Sequence, residues 1–155
     1  MESASGVVTS LQICPGHGVP MQPVDPAVFT ADLGLQGCRH ARAGSRRQVL
    51  LIEEETLDRL GLEPGQVREN VTTRGIDLSP LPVDTRLIVG DDVELWITGP
   101  CQPCALLDEI RSGLQAELQG RRGVLAWVKR GGQVRVGDRI RALPVRQAAD
   151  EQEDS

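Results

Sequence analysis

The segment TGPCQPCALLDEI, residues 98–110, sets two cysteines, Cys101 and Cys104, two residues apart, with Pro103 directly before the second. Three chemistries fit such a pair: a dithiol redox couple, half of a zinc site, or one working thiolate beside a bystander. A redox couple of this form belongs after an early parallel strand of an α/β chain, and this one lies late in a β-rich chain. Zinc finds further ligand-like pairs in CPGH, with Cys14 and His17, and in CRH, with Cys38 and His40. Those pairs are far apart in sequence, however, and the short repeated turns of a zinc knuckle are missing. The third reading makes Cys104 a lone thiolate: Pro103 fixes the backbone before it, and the ALLDEI turn after it can direct amide donors at a negative sulfur. Cys101 and Cys14 are expected to be small packed residues and nothing more.

A lone thiolate that serves as a ligand or sulfur carrier needs an anion pocket near it, and two polar segments can supply one. GLQGCRHARAGSRRQ gathers Arg39, His40, Arg42, Arg46 and Arg47 between glycines, which suits a loop closing guanidinium forks around an anion. RENVTTRGIDLSPL gathers Glu69, Asn70, Thr72, Thr73 and Arg74 around Gly75, a density of donors more typical of a binding turn than of a strand. Each has a plainer alternative, a solvated basic loop for the first and a hydrogen-bonded connecting turn for the second.

The elements that must position these residues are mostly strands. Alternation and β-branched content predict strands at GVVTSLQI, RRQVLLIE, TRLIVG, DVELWITG, GVLAWVKRG and DRIRAL, separated by Gly, Pro and Asp. Helical spacing occurs only in EEETLDRLGL and CALLDEIRSGLQAEL. The fold class expected is therefore mainly β, an antiparallel barrel with a few short accessory helices. Its interior must be aliphatic, because Phe29, Trp96 and Trp127 are the only aromatic residues.

A chain of 155 residues is expected to form one domain, residues 1–143, followed by a disordered acidic tail over 144–155. A net charge of −5 and the near absence of aromatic residues argue against nucleic acid as a partner. No secretory leader or membrane-length apolar run is visible, so the expected location is cytoplasmic, with no membrane partner and the four cysteines reduced.

Four ordered segments carry a resemblance over most of the chain: GLQGCRH, then RQVLLIEEETLDRLGLEPGQVRENVTTRGIDL, then TRLIVGDDVELWITGPCQPCALLD, then GRRGVLAWVKRGGQVRVGDRI. In this order they resemble the MOSC domain, the family named for the C-terminal domain of molybdenum cofactor sulfurase, and most of all its short stand-alone bacterial members. The resemblance implies a barrel-like fold and the molybdenum cofactor (molybdopterin) as ligand. Cys104 maps to the cysteine that serves as sulfur ligand of molybdenum, or as sulfur carrier, in such proteins; thiolate softness suits either role. It further implies a pocket lined by Asn70, Thr72, Thr73 and Arg74, with Arg39, Arg46 and Arg47 of the basic loop holding the pterin's phosphate.

One departure stands out, since many members have an aspartate where this chain has Cys38. His40 remains as a proton donor under this reading, and Cys38 is available as a second sulfur partner for Cys104. The function so implied is that of a reductase component for N-hydroxylated small molecules, or of a sulfur or metal-sulfur carrier. The former needs a small-molecule substrate and a separate electron-transfer protein, because no flavin or iron–sulfur motif is present; the latter needs a sulfur-donor protein. Other readings are a non-enzymatic persulfide relay and a small structural domain with a zinc clip. Pyridoxal phosphate is a label attached to the family through another domain of the sulfurases, and no Schiff base is expected at Lys129, the only lysine.

Overall fold

The computed structural model describes residues 4–144. In chain order the elements are β1 (Ser5–Ile13), β2 (Gln22–Pro23), β3 (Ala27–Thr30), β4 (Gly34–Leu35), β5 (Val49–Glu53), α1 (Glu54–Leu60), β6 (Val71–Arg74), β7 (Arg86–Val89), β8 (Val93–Pro100), α2 (Leu106–Ile110), α3 (Leu114–Glu117), β9 (Val124–Arg130), β10 (Gly132–Val134) and β11 (Arg139–Leu143). Seven of the strands close a barrel in the order β11-β7-β8-β9-β5-β6-β1, with β1 returning to pair with β11. Closure leaves none of these seven without a neighbour on either side, which removes the exposed edge that open sheets must protect. A small sheet, β10-β3-β4, stands beside the barrel.

The barrel interior is aliphatic, as composition requires. Val8, Leu11, Val49, Leu51, Val71, Leu87, Leu95, Val128 and Ile140 belong to one buried cluster. On β1 the inward face passes from the even-numbered Val8 to the odd-numbered Leu11 and Ile13. A bulge between Val8 and Ser10 against β6 makes that change of phase. β5 is buried along its whole length. Val49 and Leu51 face the barrel core, Ile52 faces the helices, and Leu50 packs with Cys101 and Leu125.

The helices cover one outer flank of the barrel. Leu57, Leu62, Leu107, Leu114 and Leu118 pack together on Ile52. α1 stops where Gly61 takes a left-handed φ of 69°. The helix expected across residues 104–118 is split into α2 and α3, with Gly113 at φ 88° between them. That conformation breaks the i to i+4 ladder at a residue with no side chain to clash.

The expected class, a mainly β barrel with short helices, is what the chain forms. Two features differ from the sequence reading. β5 and β6 run parallel, with Leu51 opposite Val71 and Glu53 opposite Thr73, inside an otherwise antiparallel barrel. And Val71–Arg74, expected as a binding turn, is this barrel strand: both of its threonines are buried, and Thr72 bonds to Glu69 and Gln12 within the fold. The acidic tail lies, apart from Pro144, outside the described residues.

Candidate functional site

β8 carries the chain to the cysteine pair. Its last residues pair with β9, Gly99 opposite Leu125 and Pro100 opposite Val124. The Cys101 N–H then continues the contact by donating to the Gly123 carbonyl at 2.9 Å. This turns the Cys101 side chain inward, where it is buried against Leu50 and Leu125. Gln102 and Pro103 lead out again, and Cys104 is the one exposed thiol of the four cysteines. Its carbonyl accepts the Leu107 N–H at 3.0 Å, so the first turn of α2 fixes the backbone beneath the sulfur. α2 has only five residues, so this turn supplies local hydrogen bonds and little macrodipole.

The basic loop meets the same end of β8. Arg46 donates to the Thr98 carbonyl at 3.2 Å, and the Thr98 hydroxyl donates back to the Arg46 carbonyl. Arg47 is exposed, and among the described residues its guanidinium has no carboxylate partner. Gln48 closes the loop internally, donating to the Arg42 carbonyl and accepting the Val128 N–H, both at 3.0 Å.

The remaining candidates fall in two other places. Arg74 is held on α1, where Glu54 accepts its Nε at 2.8 Å and Asp58 pairs with its Nη2. Thr72 and Thr73 are fully buried; Thr72 donates to the Glu69 carboxylate at 2.8 Å, and the Thr73 hydroxyl has no partner. Asn70, also buried, sits at the start of β6 and works in three directions. Its Oδ1 accepts the Leu50 N–H at 3.0 Å, and its Nδ2 donates to the Gln12 carbonyl at 3.2 Å and to the Cys38 sulfur at 3.5 Å.

That last contact opens a second cysteine corner. Cys38 is buried, receives the Cys14 N–H at 3.4 Å, and lies 3.9 Å from Nδ1 of the exposed His40. Burial pushes its thiol up, but the hydrogen bonds from His40, the Cys14 amide and Asn70 outweigh it and bring the pKa down to about 7. The neighbour of Cys38 is thus Cys14. Cys14 itself does more than pack, because Arg68 donates to its sulfur at 2.9 Å. Nothing in QVREN singled out Arg68; its left-handed φ of 69°, unusual for an arginine, is a structural fact with no sequence signal. Arg39 reaches from this corner to His17, Nη1 to Nδ1 at 2.7 Å.

Among the described residues no three His, Cys, Asp or Glu side chains are arranged to hold a metal ion, and guanidinium groups already engage Cys14 and His17. The described residues form an open cleft of about 550 Å³ beside Gln12, Met21 and Arg68 and another of about 380 Å³ beside Glu53, Arg59 and Arg121; Cys104 lines neither. Lys129 lies over the edge-to-face Trp96–Trp127 pair, 5.4 Å from the Trp96 ring centre. No helix among the described residues is long and apolar enough to cross a membrane.

Comparison with known proteins adds a family and a fold. The family model described as MOSC domain matches residues 38–141. No curated protein matches significantly. Among solved structures, the chain is similar to the YuaD protein from Bacillus subtilis, with 21% identity and a TM-score of 0.78 over 94% of this chain and 99% of that one. It is similar to YiiM from Escherichia coli, with 21% identity and a TM-score of 0.65 over 95% and 72% of the two chains. YiiM from Geobacillus stearothermophilus gives 16% identity and a TM-score of 0.69 over 89% and 75%. At these identities the likeness is one of fold.

Proposed function

The chain belongs to the MOSC domain family, and from that premise we propose that it binds the molybdenum cofactor with the Cys104 thiolate as a protein ligand of the metal. The observation that carries this reading is the contrast within the pair: Cys101 is buried beneath the loop, while Cys104 stands in solvent on a backbone fixed by Pro103 and the first turn of α2. A soft, accessible sulfur suits molybdenum, and a second sulfur turned inward does not compete with it. The donor set fits the rest of the group as well. Arg46 sits at the end of β8 and Arg47 is exposed beside it with no acidic partner among the described residues, so both are available to a phosphate.

In this reading Cys104 ligates, Arg46 and Arg47 hold the phosphate, and His40 on the same loop is the proton donor. The cofactor, when bound, supplies two-electron chemistry at an oxygen atom, which matches reduction of N-hydroxylated small molecules. Electrons then come from a separate protein. A second reading draws on the same exposure: a thiol this open can carry a persulfide from a sulfur-donor protein to an acceptor.

Elemental analysis of protein purified from a molybdopterin-producing host separates these. The first reading predicts molybdenum near one equivalent, strongly reduced by Cys104→Ser and retained by Cys101→Ser. Sulfane sulfur on Cys104 without molybdenum supports the relay. Equal losses in the two variants would refute a single-thiolate site.

A further inference from the structure

The corner formed by the end of β1 and the loop before β5 holds a second pair of sulfurs that the cofactor reading does not use. We propose that Cys38 and Cys14 form a thiol site that reduces hydroperoxides, with Cys38 as the attacking sulfur and Cys14 as the one that resolves it.

Geometry comes first. The Cys14 amide donates to the Cys38 sulfur at 3.4 Å, and the Arg39 amide donates to the Cys14 carbonyl at 2.8 Å. Residues 14 and 38 are therefore held as close neighbours by two backbone amides, one on the Cys38 sulfur and one on the Cys14 carbonyl. The groups that contact the Cys38 sulfur are the Cys14 amide just past the end of β1, Asn70 Nδ2 just before β6, and His40 from its own loop. All favour a sulfur bearing negative charge, consistent with a thiol pKa brought down to about 7. The charged groups of the corner are Arg68 on the Cys14 sulfur at 2.9 Å, Arg39 against His17, and His40.

Arg68 also decides against the rival use of these residues. A guanidinium at hydrogen-bonding distance from the Cys14 sulfur opposes a divalent cation there. Arg68 lines the cleft of about 550 Å³, Cys14 is buried behind it, and exposed Arg39 and His40 follow Cys38 in the chain.

The chemistry balances with hydrogen peroxide as oxidant. The Cys38 thiolate attacks one peroxide oxygen; the S–O bond forms, the O–O bond breaks, and the departing hydroxide takes a proton at the solvent-open His40 edge and leaves as water. The sulfur has lost two electrons and is a sulfenic acid. The Cys14 sulfur then attacks it: the S–S bond forms, the S–O bond breaks, and the hydroxide leaves with the Cys14 proton as a second water. A dithiol reductant, oxidised to its own disulfide, restores both thiols.

The test treats the reduced full chain with one equivalent of hydrogen peroxide, blocks remaining thiols and maps peptides by mass spectrometry. The expected product joins the peptide of Cys14 to that of Cys38, and in Cys14→Ser a dimedone adduct accumulates on Cys38. Between pH 6 and pH 8 the rate of Cys38 oxidation should rise about tenfold and level off, where an unshifted thiol would climb about a hundredfold without levelling. Oxidation confined to Cys104, with no Cys14–Cys38 link in the wild-type protein, would overturn the proposal. So would zinc bound at one equivalent and lost in Cys38→Ser.

Discussion

Asn70 joins three parts of the chain through one amide: Leu50 on β5, Gln12 on β1 and Cys38 on the basic loop. Truncation would leave the Leu50 N–H and the Gln12 carbonyl without their partner inside the fold. Asn70→Ala should therefore cost about 2 kcal/mol or more in urea unfolding, and it should raise the Cys38 pKa by removing a donor. Glu69, beside it, is buried, and burial raises its pKa despite hydrogen bonds from Gly65 and Thr72 and the field of Arg122. A carboxyl with a raised folded pKa contributes stability that is complete below the ordinary value of 4.5 and lost as pH rises through the folded value. Glu69→Gln should remove that part of the pH dependence, so that the variant gains on the wild-type protein in urea midpoint as pH rises from 4.5 to the folded value and keeps that gain above it. Both residues were visible in the sequence as part of a polar cluster, but the direction they face was not. Donors that line a pocket and donors that tie strands together have the same composition.

Among the elements, the strands that alternate regularly were legible: the segments expected at GVVTSLQI, RRQVLLIE, TRLIVG, DVELWITG, GVLAWVKRG and DRIRAL correspond to β1, β5, β7, β8, β9 and β11. β6 escaped because two of its three buried positions are threonines, Thr72 bonded to Glu69 and Gln12, so hydrophobic periodicity has little to register there. β2, β3, β4 and β10 have two to four residues each, too few for a period to show. The cysteine segment depends on one tight approach between elements. A side chain at Gly123, where φ is 104°, would strike the Leu51 carbonyl on β5, and the Gly123 carbonyl holds the Cys101 amide. Gly123→Ala should cost about 3 kcal/mol or more and expose Cys101 to alkylation, as read by urea unfolding and thiol labelling of the same protein.

For the molecule as a whole, closure of the barrel joins its two ends: Ser5 pairs with Arg141, and the Ala142 N–H donates to the Ala4 carbonyl at 2.8 Å. A chain ending at residue 138 would open β1 and β7 as unpaired edges, and it should lose cooperative thermal unfolding and associate. The family was legible because its segments follow one another in order along the chain, and the barrel brings the cysteine segment and the basic loop to the end of β8. The pairing of Cys14 with Cys38 was not legible, since it joins residues 24 positions apart through a backbone amide.

The cofactor reading can be tested through the sulfur on which it depends. Cys104 alkylation should be compared in protein from a molybdopterin-producing host and from a molybdopterin-deficient one. Protection of Cys104 in the first and rapid labelling in the second is the predicted result. Equally rapid labelling in both would contradict ligation of the metal by this thiolate.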